Sequence, residues 1–143
     1  MVRFVVFMLV LAAAVAYAFN RGGRPERVVA TTILSVQLLD LALHAVLDTD
    51  GQITSMDFWH IPLDLIILSV TGYMALTADR FWPLVAAALQ LVTTAGHAAA
   101  ALNLSMTPLI YAILIETLSY LLIFTIAVGT YLHDRRTKDI PRG

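Results

Sequence analysis

The sequence contains no cysteine, and only 13% of its 143 residues are charged. Without cysteine the chain can form no disulfide, thiolate metal site or iron–sulfur centre, and it cannot attach a c-type haem covalently. Nine lysines and arginines nearly balance ten aspartates and glutamates, which leaves a formal net charge of −1. So small a net charge gives no reason to expect nucleic acid as a partner.

Apolar side chains are what the sequence has in abundance. Hydrophobic residues make up 59% of the chain, and the mean hydropathy is +0.81. A soluble domain of this length needs a larger polar shell than such a composition can provide. The sequence therefore predicts an all-α, polytopic integral membrane protein whose surroundings are the lipid bilayer.

Five segments are long enough to cross the bilayer, whose hydrocarbon core of about 30 Å requires roughly 20 helical residues. The predicted spans are residues 2–19, 28–47, 58–78, 83–102 and 107–132. The connections between them are short, and no linker or low-complexity stretch separates a second domain. We therefore expect one domain over residues 1–143, a five-helix bundle with residues 133–143 as a basic cytoplasmic tail.

The charges of the connections predict the orientation of the bundle. The first connection, the third connection and the tail carry the basic residues Arg21, Arg24, Arg27, Arg80, Arg135, Arg136, Lys138 and Arg142. The second connection carries only acids (Asp48, Asp50 and Asp57), and the fourth is uncharged. By the positive-inside rule the N-terminus is outside and the C-terminus is cytoplasmic, in what we expect to be a bacterial inner membrane. Trp59 and Trp82 then fall at the outer and inner interfaces.

The first span also resembles a secretory signal peptide. Arg3 supplies a short basic region, and Ala16 and Ala18 form an A-x-A pattern typical of a cleavage site. Cleavage would leave the arginine-rich first connection outside, against the positive-inside rule. We therefore expect a retained helix, whose alanines allow close contact with its neighbours.

A polar stripe interrupts the second span. Gln37, Asp40 and His44 are spaced by three and four residues, which places them within roughly 60° on one helix face. The stretch "QLLDLALHA" at 37–45 is matched by "QLVTTAGHA" at 90–98, so that His44 corresponds to His97. This match suggests a duplicated two-helix unit followed by a fifth helix, with the two histidines at equal depth.

Other ionisable residues fall at a similar depth, in the outer half of the predicted bundle. An ionised carboxylate that faces lipid costs several kcal/mol, so we expect these side chains to point inward, to pair or to be neutral. Two pairs are neighbours on their own helices, Asp40 with His44 and His60 with Asp64. The predicted polar layer consists of Asp40, His44, His60, Asp64, His97 and Glu116, supported by Gln37, Gln90, Thr94 and Tyr120.

Three hypotheses account for this layer. It could bind a divalent metal through its histidines and carboxylates, or a b-type haem with His44 and His97 as axial ligands. It could be a hydrogen-bonded core that stabilises a structural or accessory subunit of a membrane complex. It could also relay protons in a transport component, which at this size would need a homo-oligomer or a larger partner. No recognised catalytic motif is present, so catalytic residues and a substrate are not predicted.

The predicted orientation is testable with reporter fusions. A reporter that is active only in the cytoplasm should give signal when it is fused after Gly143 and none when it is fused after Gln52, because charge asymmetry places these sites on opposite sides. The reverse pattern of activity would show that the orientation is wrong.

Overall fold

The computed structural model describes residues 2–47, 60–102 and 107–139, and these residues are almost entirely helical with no strand among them. The helices are α1 (Val2–Arg21), α2 (Arg24–Leu47), α3 (His60–Thr77), α4 (Trp82–Ala101) and α5 (Pro108–Lys138). Each is long and apolar enough to cross a membrane. The predicted all-α class and the five apolar helices are thereby confirmed.

The largest differences from the predicted boundaries lie at the arginine-rich ends. Helix α2 begins at Arg24, and α5 continues to Lys138, so residues 133–138 of the predicted tail are helical. The extension is stabilised within α5, where Lys138 Nζ lies 2.5 Å from Asp134 Oδ2. Basic side chains in a last turn also complement the helix dipole. Asp48, Asp50, Asp57, Trp59 and Arg142 lie outside the described residues.

Proline marks the start of four helices. Pro25, Pro62, Pro83 and Pro108 all stand in the first turn of α2 to α5. A first-turn residue has no intrahelical acceptor for its N–H, so proline loses no hydrogen bond there, and its fixed φ angle suits the helix. As a result α3 includes His60 as its first residue, two positions before Pro62.

The helices contact one another in a closed order. Helix α1 contacts α2 and α5, α2 contacts α3, α3 contacts α4, and α4 contacts α5, while α2 also touches α5. On α1, Leu11, Ala14 and Ala18 are buried, which agrees with small residues allowing close contact. Many large apolar side chains stay on the outside, such as Leu76 and Phe124, which are 89% and 65% exposed. Outward apolar faces of this kind suit a lipid environment.

A fully buried carboxylate ties the arginine-rich ends of the helices together. Glu26 is 0% exposed, and its Oε2 accepts a hydrogen bond of 2.9 Å from the Gly23 N–H. Its Oε1 accepts from Arg80 Nη1 at 2.5 Å and from Trp82 Nε1 at 2.9 Å. Arg80 Nη2 in turn donates to His133 Nδ1 at 2.8 Å. We call these four side chains, Glu26, Arg80, Trp82 and His133, the Glu26 cluster.

The Glu26 cluster corrects one expectation and adds detail to another. His133 was expected in a solvated tail, whereas it lies half-buried on α5 and accepts a hydrogen bond from Arg80. Trp82 was expected at the inner interface, and the structure adds that its ring is buried among the helices and that its indole N–H donates to Glu26. Both side chains are buried or half-buried because a buried carboxylate requires hydrogen-bond donors: Trp82 donates directly, and His133 accepts from the donor Arg80.

The close contact between Trp82 and α5 requires glycine at position 129. A Cβ at Gly129 would lie 2.7 Å from Trp82 Cγ and Cδ2, whereas a Cβ at Gly72 would meet nothing within 4 Å. Gly129→Ala should therefore lower the free energy of unfolding. Overpacking costs about 1–3 kcal/mol, which is more than the gain of up to about 1 kcal/mol from the higher helix propensity of alanine. Gly72→Ala, the matched control, should raise it by up to about 1 kcal/mol.

Titration of the two variants with denaturing detergent measures both effects. Equal changes in the free energy of unfolding would show that the contact between Trp82 and α5 is not close.

Candidate metal centre

Three helices bring histidines and carboxylates together at the ends opposite the Glu26 cluster. We call this group the histidine cluster: Asp40 and His44 of α2, His60 and Asp64 of α3, and His97 of α4. The His44 and His60 ring centroids are 5.5 Å apart, and those of His60 and His97 are 5.3 Å apart. The structure thus gathers five of the six ionisable residues that the sequence placed in one layer.

Asp40 contacts two histidines from different helices. Its Oδ1 lies 3.2 Å from His60 Nδ1 and 3.5 Å from His44 Nδ1. The expected neighbour relation between Asp40 and His44 is therefore present. The hydrogen bond of His44, however, goes from Nδ1 to the Asp40 main-chain carbonyl, at 2.9 Å. Because Nδ1 donates, a neutral His44 has its lone pair on Nε2, a nitrogen that can coordinate a metal ion.

Asp64 organises the α4 side of the cluster. Its side chain is buried, and its Oδ1 accepts a hydrogen bond of 2.9 Å from Gln90 Nε2. Its Oδ2 lies 3.4 Å from His97 Nε2. The Tyr111 hydroxyl of α5 lies 2.5 Å from His97 Nδ1. The Tyr111 hydroxyl at Nδ1 and the Asp64 carboxylate near Nε2 therefore flank the His97 ring on both sides.

The cluster borders a partly open cavity of about 360 Å³ to which all five helices contribute. Asp40, His60, Asp64 and His97 lie on its wall, together with Glu116. Gln37 and Asp40 of the polar stripe of α2 therefore face the inside of the helix assembly, as the cost of exposing carboxylates to lipid predicts for Asp40. A cavity of this size has room for an ion and ordered water beside the polar groups on its wall.

Glu116 lines the same cavity but belongs to a different contact. Its Oε2 lies 3.5 Å from Arg3 Nη1 of α1, and its side chain is 38% exposed. An exposed pair of this length contributes little to stability, about 0–1 kcal/mol. Glu116 lies toward α1, whereas the imidazoles gather between α2, α3 and α4.

Of the remaining supporting residues, two make structural contacts and one lines the cavity. Thr94 donates its hydroxyl to the Gln90 carbonyl at 2.9 Å, a bond within α4. Tyr120 packs edge-on against Phe7, with 5.6 Å between the ring centroids. Gln37 lines the cavity and is half-buried.

Two features of the site were not predicted from the sequence. Tyr111 was not among the site residues, because nothing in its local pattern indicates that it meets His97 fourteen positions earlier. The buried role of Glu26 was also missed, although a local signal exists. Glu26 stands three residues after Gly23 at a helix start, where a glutamate side chain commonly accepts from the main-chain N–H of the capping residue.

The donor set of Asp40, His44 and His60 suits a divalent transition metal. One ligand atom from each residue can be chosen so that all three lie within 4.8 Å of one another. Ligand atoms around a tetrahedral zinc ion lie about 3.3–3.6 Å apart, given bond lengths of about 2.0–2.2 Å. The contact of 3.2 Å between Asp40 Oδ1 and His60 Nδ1 is already close to that spacing. Imidazole nitrogen and carboxylate oxygen are also typical zinc ligands.

Two buried carboxylate oxygens point to the same conclusion. Among the described side chains, Asp40 Oδ1 and Asp64 Oδ2 are buried and accept no hydrogen bond. A buried acceptor without a donor costs about 1–3 kcal/mol, and more when it is charged. A bound cation would offset that cost at Asp40. Among the described residues, no side chain donates a hydrogen bond to Oδ1.

No protein-family model matches this chain, and no curated protein or solved structure is significantly similar to it. The function must therefore be argued from the chemistry of the residues themselves. The histidine cluster is the part of the described chain that offers such chemistry.

Gln90 provides a test of how Asp64 is held. Gln90→Leu should lower the free energy of unfolding by about 1–3 kcal/mol, because it removes the donor to a buried carboxylate. The matched control is Gln37→Leu on α2, a half-exposed position, which should change it by less than about 0.5 kcal/mol. Denaturing-detergent titration of both variants measures the difference. Equal losses would contradict the role assigned to Gln90.

Proposed function

We propose that this protein is an integral membrane protein that binds a divalent transition-metal ion of the zinc class through Asp40, His44 and His60. In this proposal the five apolar helices form a membrane-spanning bundle, with the N-terminus outside and the C-terminus in the cytoplasm. The histidine cluster then lies in the outer half of the bilayer. The Glu26 cluster lies at the cytoplasmic end.

The observation that carries the proposal is the buried Asp40 Oδ1 beside two imidazoles. Among the described residues this oxygen accepts no hydrogen bond, and it lies 3.2 Å from His60 Nδ1 and 3.5 Å from His44 Nδ1. An isolated carboxylate in a low-dielectric site would be expensive, and coordination to a cation offsets that cost directly. The ligands also come from two helices, so that binding would fix the position of α2 relative to α3.

Three protein ligands leave one position of a tetrahedral ion open. Structural zinc sites are normally closed by four protein ligands, whereas sites with three keep water or another molecule in the fourth position. The adjoining cavity of about 360 Å³ provides room for such a molecule. We therefore favour an exchangeable site over a purely structural one.

A b-type haem between His44 and His97 is less well supported by the geometry. His60 contacts both of these rings, with centroid distances of 5.5 and 5.3 Å. A porphyrin would have to separate His44 from His97 and displace His60. A small ion needs no such rearrangement, which is why we place it first.

Metal analysis of the purified protein tests the proposal. The protein should be extracted in mild detergent and titrated with zinc, and bound metal should approach one ion for each chain. Asp40→Asn and His60→Gln should each weaken binding by more than the ~10–100-fold that follows loss of an outer-shell partner. His133→Gln is the matched control, since this fourth histidine belongs to the Glu26 cluster, and it should bind normally.

The competing hypotheses give different results in the same preparation. A haem site would produce a Soret band, both in the purified protein and in intact membranes, that His44→Ala and His97→Ala abolish. Proton handling would show as pH-dependent flux in liposomes that Glu116→Gln removes, without metal dependence. A preparation with neither metal affinity, colour nor flux would favour the structural or accessory role and would overturn the metal proposal.

A further inference from the structure

A groove runs between α4 and α5 near the Glu26 cluster. Its volume is about 240 Å³, and most of its wall is apolar. At its mouth the wall turns basic. The apolar wall is formed mainly by Phe81, Val85, Phe124, Val128 and Leu132, and the mouth by Arg80, His133 and Arg136.

The groove is open to the outside and extends along α5. Phe81 and Phe124 are 75% and 65% exposed, so large apolar surfaces face away from the helix assembly. From Arg136 to Phe124 the helix advances twelve residues, or about 18 Å at 1.5 Å per residue. This length is close to half of a hydrocarbon core of about 30 Å. A chain lying in the groove would therefore reach from the membrane surface to near the middle of the bilayer.

The charge at the mouth is positive and incompletely neutralised. Arg80 is bound to Glu26 and His133. No acidic side chain belongs to the groove wall, and Arg136 forms no ion pair with any of the described residues. Its neighbour Arg135 is engaged elsewhere, donating from Nε to the Tyr131 hydroxyl at 2.9 Å. Arg136 thus offers a free guanidinium beside an apolar channel.

We infer that this groove binds an anionic phospholipid, with the headgroup at Arg136 and one acyl chain along the apolar wall. The inference rests on the proposed membrane insertion, which puts the mouth at the cytoplasmic surface. Basic residues at that surface attract anionic lipids, and guanidinium groups bind phosphate through paired N–H donors. A neutral lipid would meet the same apolar wall, but its headgroup would leave the charge of Arg136 uncompensated.

Trp82 gives the site an intrinsic probe, because its ring lines the groove. The protein would carry Trp59→Phe, so that Trp82 is the remaining tryptophan, and would be reconstituted in phosphatidylcholine vesicles. These would contain a minor fraction of phosphatidylglycerol with brominated acyl chains, which quench tryptophan fluorescence on contact. We expect stronger quenching than with the same fraction of brominated phosphatidylcholine.

Two single-charge variants test whether the preference for anionic lipid comes from the groove or from the general surface charge. Arg136→Gln should weaken the apparent affinity for brominated phosphatidylglycerol about fivefold, the effect of one basic residue near an anionic surface. Arg135→Gln removes the same charge from the adjacent residue outside the groove wall and should change it much less. Val128→Phe narrows the channel without changing charge and should also reduce quenching, provided that circular dichroism shows a folded protein.

Several outcomes would overturn the inference. Equal quenching by the two headgroups would mean that no anionic lipid is selected. Equal losses in the Arg135 and Arg136 variants would assign the effect to diffuse surface charge. Displacement of the lipid by excess inorganic phosphate would indicate a phosphate site without an acyl-chain groove. Zinc titration in detergent, without these lipids, tests the metal proposal at the histidine cluster separately. Failure of the lipid inference can therefore be distinguished from failure of the metal proposal.

Discussion

The buried carboxylate of Glu26 is the interaction on which the helix arrangement depends most directly. It joins the start of α2 to the turn between α3 and α4 and to the start of α4, and through Arg80 it reaches His133 of α5. Both of its oxygens are occupied by donors, so the cost of burying the charge is offset by direct hydrogen bonds. Such a pair contributes little net stability against an apolar replacement. Losing one partner, however, leaves an uncompensated buried charge and costs about 3–5 kcal/mol.

The buried carboxylates at the two ends of the molecule differ in how many of their oxygens accept hydrogen bonds. At the Glu26 cluster every carboxylate oxygen has a donor, and the result is a closed structural junction. At the histidine cluster Asp40 Oδ1 and Asp64 Oδ2 accept no hydrogen bond from any described residue, and a cavity lies beside them. A partly satisfied polar group in a low-dielectric interior is costly to maintain, and such groups are concentrated at functional sites. This contrast is the physical basis for assigning function to the histidine cluster.

The distance between these ends also follows from the helices. From Trp82 to His97, α4 advances fifteen residues, or about 22 Å. Gln90 and Thr94 lie between them on the same helix, and each makes a hydrogen bond that holds the interior without adding charge. The metal proposal and the lipid inference therefore concern separate regions of one assembly, connected by a polar but uncharged stretch of α4.

Several properties could be read from the sequence because they depend on local pattern. The apolar runs predicted five helices, the first-turn prolines explain where four of them begin, and the cost of polar groups in lipid placed Asp40 on the inward face. What the sequence could not specify is which residues meet across helices. Helix rotation and tilt depend on the packing of whole faces, so local spacing predicted the neighbours Asp40 and His44 but not the contact between Asp40 and His60.

Tertiary structure alone decided three further features. His133, which was predicted to lie in the tail, accepts a hydrogen bond from Arg80. Tyr111 of α5 lies beside His97 of α4. The tertiary structure also separated Glu116 from the imidazoles by pairing it with Arg3. Each of these contacts joins residues of different helices, and its geometry exists only once the helices have packed. The sequence by itself thus determined which segments are helical and which faces are polar, whereas packing of the helices decided which polar groups form a site.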